Sequence, residues 1–291
     1  MDALLPILRG LPAGFLQALL LNGSVITLAY FIFWKKLRTR LAAWRIQQRQ
    51  RADARQIRAE LRHALGPLLV GGLFASVVLY LSTLGYTRIY TRFDEHPAWS
   101  VASFFVLLLL DDTWFYWMHR LLHRPVLYRW VHQVHHQSID VTPYTSLSFH
   151  WLEPVLLSAW IVPVACFMPI YAPVLGLLQL WGLLDNVKAH LGYELYPAGF
   201  HNGWLRFLTT STHHNMHHRK FRGNYGVHLR LWDRLLGTEF HDYEAEFDRV
   251  QQRKASSSPA AGKTQAPVPH EAPEPENAEG RSKIRRDAYP L

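Results

Sequence analysis

Histidines at repeating short spacings are the residues of this chain best suited to chemistry. His119 and His123 form H-x-x-x-H, and His132, His135 and His136 form H-x-x-H-H. His214, His217 and His218 repeat that second spacing directly after His213, and His190 stands between the two sets. Twelve of the seventeen histidines fall between residues 119 and 218. Neutral imidazole is the commonest metal ligand in proteins, and this many donors at regular spacing suggest more than one ion. On a helix, residues three or four apart share a face. Each cluster therefore reads as a rack of nitrogens aimed one way, with His135 and His136 both beside His132. A lone histidine is more often a core or surface residue, which is the reading for His63, His96, His201, His228, His241 and His270.

The donor set narrows the chemistry. A zinc protease would show H-E-x-x-H, which is absent. Structural zinc usually employs cysteine, and Cys166 is alone, so an internal disulfide is also excluded. Haem needs at most two axial ligands, far fewer than are clustered here. Imidazole suits iron, zinc, copper and nickel alike, so the spacing leaves the metal open. No flavin or dinucleotide fingerprint is visible.

Such donors must be positioned, and the surrounding segments are apolar. Of 291 residues 49% are hydrophobic, and the net charge is +9. The mean hydropathy of −0.06 averages apolar segments against a polar tail and a basic loop. Residues 11–34 carry no charge; as a helix they reach about 36 Å, enough for a hydrocarbon core of about 30 Å. Residues 35–62 then hold ten Lys or Arg against Asp53 and Glu60. Cations beside apolar spans fit the cytoplasmic membrane face better than nucleic acid, and they put the N-terminus outside. A second span is expected over 64–86 and a third from about Trp99 to His119. Trp114, Tyr116 and Trp117 suit an interfacial aromatic belt. Residues 151–189 are apolar but broken by Pro154, Pro163, Pro169 and Pro173. Proline disfavours a helix interior, so two helices hinged near Pro169–Pro173 are expected, entering and leaving on one side. Every histidine cluster then emerges on the cytoplasmic face.

The expected fold is all-α: an integral, multi-pass membrane bundle of four to five embedded helices under a histidine-rich cap. Residues 1–63 form a first helix and basic segment, 64–250 the catalytic part, and 251–291 a disordered tail poor in apolar periodicity. A bacterial inner membrane and an endoplasmic reticulum are equally compatible with this pattern.

DTWFYWMHRLLHRPVLYRWVHQVHH, then TSTHHNMHH and NYGVHLRLWDRLLGT, resemble the fatty acid hydroxylase superfamily, in particular its sterol-desaturase-like branch, over roughly residues 64–245. The resemblance implies a membrane di-iron oxygenase without haem that uses O₂ and two electrons to hydroxylate or desaturate lipids. Carried over by position, the ligands are His119, His123, His132, His135, His136, His190, His214, His217 and His218. Some members have a further histidine where this chain has Glu194, which becomes a possible tenth donor or supporting group. His150 and Glu153, in SFHWLEP, recur in that branch and could line the site or start a helix. His213 is a candidate outer group. Asp112, seven residues before His119, and Asn186, one turn before His190, are candidates to orient ligands. A carboxylate deep in a span costs about 2.5–3.5 kcal/mol, so Asp111 and Asp112 should have polar partners. Asp233 is expected to hold the C-terminal lobe by a salt bridge.

The leading expectation is hydroxylation of a membrane lipid at an unactivated C–H bond, with electrons from a separate protein or soluble reductant. Removal of a second hydrogen would give an alkene, making a desaturase the nearest rival. A histidine-rich metal transporter predicts ligands strung along the spans, and a structural metalloprotein predicts redox-inert zinc. Sterol, fatty acyl, alkylglycerol and aminolipid substrates all remain open from sequence.

Overall fold

The computed structural model describes residues 4–48 and 52–257. His270 and the tail from 258 onward lie outside the described residues. Among the described residues, three helices are long and apolar enough to cross a membrane: α1 (Leu5–Lys36), α2 (Ala54–Thr83) and α3 (Pro97–Leu122). Their outer faces expose Leu8, Leu20, Leu69, Leu79, Phe105 and Leu109, a surface that suits lipid rather than water.

Local sequence explains where each begins. The Asp53 carboxylate accepts a hydrogen bond from the Gln56 amide and caps α2. Pro97 occupies the first position of α3, where its missing N–H costs nothing. Between α1 and α2 the backbones nearly touch: a Cβ on Gly72 would meet the Phe15 nitrogen at 2.7 Å, and one on Gly14 would meet the Gly72 carbonyl oxygen at 2.9 Å. Small residues at this crossing let two membrane helices pack closely.

The proline-broken stretch forms two helices, α4 (Leu152–Phe167) and α5 (Ala172–Ala189). They turn at Met168–Tyr171, where β2 (Ile170–Tyr171) pairs in parallel with β1 (Ile89–Tyr90) in the loop between α2 and α3. Trp99 also donates its indole N–H to the Pro169 carbonyl. The hinge thus reaches the end of the bundle opposite the histidines. Leu107, Trp160, Ile170, Val174 and Leu178 fill the core there.

The other end carries the cap. The first half of α1 packs on α2, and its second half rises past Ile26 to Trp34, whose indole donates to the Leu191 carbonyl. Arg45 pairs with Asp140 and lies 4.5 Å from the Trp34 ring. Burial, only partly offset by Arg45, raises the Asp140 carboxyl to about 6. Glu60 accepts hydrogen bonds from Gln56, Ser138, Thr142 and Thr145, tying α2 to the segment behind the second histidine cluster. The N-terminal segment is therefore bonded into the cap. Helices α6 (Ser211–Lys220), α7 (Leu231–Leu235) and α8 (Tyr243–Ser256) complete it, so helix continues past residue 250. Tyr116 is fully buried, with its hydroxyl against Thr238, whereas Trp117 is exposed. Tyr116 thus belongs to the cap core and not to an interfacial belt.

Candidate metal centre

Four segments deliver the histidines. The last turn of α3 carries His119, and His123 caps its C-terminus. A π-helical turn, Tyr128–His132, runs into a short helix, Gln133–His136. Helix α6 presents His214, His217 and His218, and is started by the Thr210 hydroxyl accepting from the His213 amide. His190 sits at the C-terminus of α5.

All nine side chains are buried and gather into two groups. His119, His123, His132, His136 and His217 form one; His135, His190, His214 and His218 form the other, with candidate ligand atoms within 4.8 Å of one another in each. The clusters are therefore not aimed one way. On a helix, adjacent residues diverge by about 100°, so His135 and His136 enter different groups, as do His217 and His218. The pairs four apart stay together: His119 with His123, His132 with His136, and His214 with His218.

The ring tautomers follow from the partners. Nδ1 of His119 donates to the Tyr225 carbonyl at 2.7 Å, and that of His217 donates to Gly223 at 2.7 Å. His218, His135 and His190 donate to the carbonyls of Ser138, Ser148 and Asn186 at 3.0, 3.2 and 2.9 Å. His132 donates to the Glu153 carboxylate at 2.7 Å. A carbonyl only accepts, so in those five rings the proton is on Nδ1 and the lone pair on Nε2. Burial holds the imidazoles of His132, His135, His136, His214, His217 and His218 well below the usual range, and that of His190 at about 4. They are neutral donors.

These lone pairs face one another. Nε2 of His119 lies 3.1 Å from Nε2 of His132, and Nε2 of His190 lies 3.3 Å from His135 and 3.2 Å from His218. Two acceptors cannot bond to each other; a cation between them removes the conflict. Ligands about 2.0–2.1 Å from one ion stand about 2.9–3.4 Å apart when neighbouring, which these separations match. The residues present fit two metal ions.

The remaining candidates take other places. Glu194 joins neither group: its carboxylate accepts from the Thr212 amide at 2.9 Å, the Thr212 hydroxyl at 2.8 Å and the Tyr196 amide at 3.0 Å. It anchors the start of α6. His213 points away from the metal groups, 3.8 Å from both Asp233 and Glu239. His150 accepts from the Leu152 amide at the start of α4, while Glu153 reaches the site. Asn186 supports His190 through its backbone carbonyl, and its side chain donates to the Ser146 carbonyl. Asp112 does not touch His119; it accepts from the amides of His228 and Leu229. Among the described residues Asp233 makes no Lys or Arg salt bridge. It accepts from the Tyr225 and Gly226 amides and the Thr238 hydroxyl, which fixes the loop whose Tyr225 carbonyl orients His119. His201 is buried beside Phe247 in a structural position.

Sequence reasoning missed the supporting carbonyls of Ser138, Ser148, Gly223 and Tyr225, which carry no side-chain signature. It also treated His228 as bland. That ring bonds Asp185 at 2.9 Å and Asp111 at 3.1 Å. Burial alone would lower it, but the two carboxylates raise it to about 10.

Residues 104–238, the stretch holding every one of these ligands, match the family described as fatty acid hydroxylase. The chain carries a fatty acid hydroxylase domain. Members of this family are iron oxygenases without haem. The chain is 29% identical to a Delta(7)-sterol 5(6)-desaturase of Aspergillus fumigatus over 77% of its own length and 60% of the relative's. It is 29% identical to methylsterol monooxygenase 1 of Rattus norvegicus, over 62% of its length and 65% of that protein's. With a C-4 methylsterol oxidase of Schizosaccharomyces pombe the identity is 32%, over half of each chain. The chain thus spans about half to two thirds of the length of these curated relatives. No solved structure matches. The relatives that accompany this domain match are sterol desaturases and methylsterol monooxygenases.

Proposed function

We propose that this protein is an O₂-dependent di-iron hydroxylase of a membrane lipid, with its site on the cytoplasmic face. One observation carries the reading: two adjacent groups of buried, neutral imidazoles turn opposed Nε2 lone pairs toward each other. The first group would hold one iron through His119, His123, His132, His136 and His217, and the second would hold the other through His135, His190, His214 and His218. Bound iron would supply O₂ activation and removal of hydrogen from a C–H bond. The chain's own contribution is to aim and rigidify the donors. Glu153 and the carbonyls fix ring orientation and raise ligand basicity, and full burial keeps water from the reacting carbon. The cations between Lys35 and Arg62 support the cytoplasmic assignment.

The balanced reaction takes C–H, O₂, two electrons and two protons to C–OH and water. The electrons come from a separate donor. Desaturation is the second reading, because the relatives' names include both a desaturase and monooxygenases; it takes two C–H bonds to an alkene and two waters. Turnover of the iron-loaded protein with ¹⁸O₂ on membrane lipid extract separates them. Label in a lipid alcohol supports hydroxylation, and an unlabelled alkene supports desaturation. Metal uptake into proteoliposomes with no lipid product would overturn both in favour of transport.

A further inference from the structure

The acceptors that orient the two metal groups come from different parts of the chain. In the group of five, His119 bonds the Tyr225 carbonyl, His217 the Gly223 carbonyl and His132 the Glu153 carboxylate. In the group of four, His218 bonds the Ser138 carbonyl at 3.0 Å and His135 the Ser148 carbonyl at 3.2 Å. Asn186, whose carbonyl orients His190, is tied by its side chain to the Ser146 carbonyl at 2.9 Å. Three of the four rings therefore take their aim from one segment, residues 138–148.

That segment cannot hold its own position. Residues 137–142 lie in no helix or strand, so their backbone groups need partners from outside. Gln47 donates to the Ile139 carbonyl and Gln56 to the Asp140 carbonyl, each at 2.8 Å. Glu60, buried on α2, reaches furthest. Its carboxylate accepts from the hydroxyls of Ser138 at 2.7 Å, Thr142 at 2.6 Å and Thr145 at 2.8 Å. The Thr142 and Thr145 hydroxyls already accept from the amides of Tyr144 and Thr142, so each turns its own proton toward Glu60. These two threonines form the capping box of the 3₁₀ helix Pro143–Leu147. The Thr145 carbonyl in turn accepts from the Ser148 amide at 2.9 Å. One carboxylate thus governs both orienting carbonyls, that of Ser138 directly and that of Ser148 through the 3₁₀ helix.

We propose that Glu60 is a positioning residue for the group of four, setting that group's metal affinity through Ser138 and the 3₁₀ helix. It lies outside residues 104–238, the stretch that matches the hydroxylase family. Asp233 is its counterpart for the group of five, accepting from the Tyr225 and Gly226 amides and so fixing the loop behind His119. Each metal group is thereby held by its own carboxylate, one on α2 and one on α7. The role of Glu60 toward iron rests on the two-metal reading above; its hold on residues 138–148 does not.

The test measures ferrous iron affinity by chelator competition on full-length chains in which one group has been broken. His123→Ala/His217→Ala leaves the group of four, and His135→Ala/His214→Ala leaves the group of five. Adding Glu60→Ala should weaken iron binding about tenfold in the first background, the low end for outer partners of metal ligands. In the second background it should change binding by less than about twofold. Adding Asp233→Ala should reverse that pattern. A general loss of stability would weaken both groups alike, so an equal effect of Glu60→Ala on the two would overturn the proposal. Unchanged affinity in the first background would overturn it too. Should Glu60→Ala not fold, Ser138→Ala removes one hydroxyl of the clamp and decides by the same contrast. Hydrogen exchange on the metal-free chain gives a readout that needs no iron. Glu60→Ala should speed exchange over residues 138–148 and leave residues 223–226 unchanged. That result in a chain whose intact groups hold no iron would sink the two-metal reading and leave the clamp standing. Unchanged exchange over residues 138–148 would overturn the clamp itself.

Discussion

His135 and His136 are neighbours in the chain, yet they serve different metal groups. The spacing made the donors legible, because imidazoles at i and i+4 announce a shared face. The partition between two ions was not, because it depends on how α3, α5 and α6 cross. The same limit hid the orienting carbonyls. Glu153 is the one side-chain acceptor among the supports, 2.7 Å from His132, and Glu153→Gln should weaken iron affinity by about 10–100-fold. Chelator competition on the purified protein checks this; unchanged affinity would mean that His132 is oriented without the carboxylate. Glu194→Gln, by contrast, should leave iron stoichiometry intact and lower the melting temperature, since its partners lie at the start of α6. His228 adds a pH dependence. Its folded-state pKa, near 10, exceeds the ordinary 6.5, so its stabilisation is complete below about pH 6.5, shrinks as pH rises, and is gone above about pH 10. Melting curves from pH 6 to 10 should lose this slope in His228→Gln, and should start lower because Asp111 then loses its cation and Asp185 keeps only Lys188.

At the scale of elements, run length and charge bias located the first three helices, and prolines located the hinge between α4 and α5. The reach of that hinge to the loop before α3 was hidden, because it depends on two residue pairs about 80 positions apart joining as strands. Tyr116 misled for a related reason: an aromatic near a helix end suits both an interface and a cap core, and only its Thr238 partner decides. The α1–α2 crossing gives a sharp contrast between adjacent glycines. Gly72→Ala forces a Cβ onto the Phe15 backbone, whereas a Cβ on Gly71 meets nothing within 4 Å. The former should cost about 1–3 kcal/mol, the latter close to nothing, both read from thermal unfolding in detergent. Equal effects would mean that the two helices do not meet at this crossing.

For the whole molecule, the helices put an apolar surface toward lipid and gather every metal-directed imidazole at one end. A continuous network of Glu60, Arg45, Asp140 and Trp34 binds the N-terminal segment to that end. That end is proposed to be a two-metal centre, and metal quantification on purified protein is the test of it. A folded wild-type chain is expected to hold about two irons. His135→Ala/His214→Ala should hold about one, because the group of four is broken and the group of five retained. A folded wild-type chain that holds one iron or none when supplied with excess iron, or a double variant that still holds two, would contradict it.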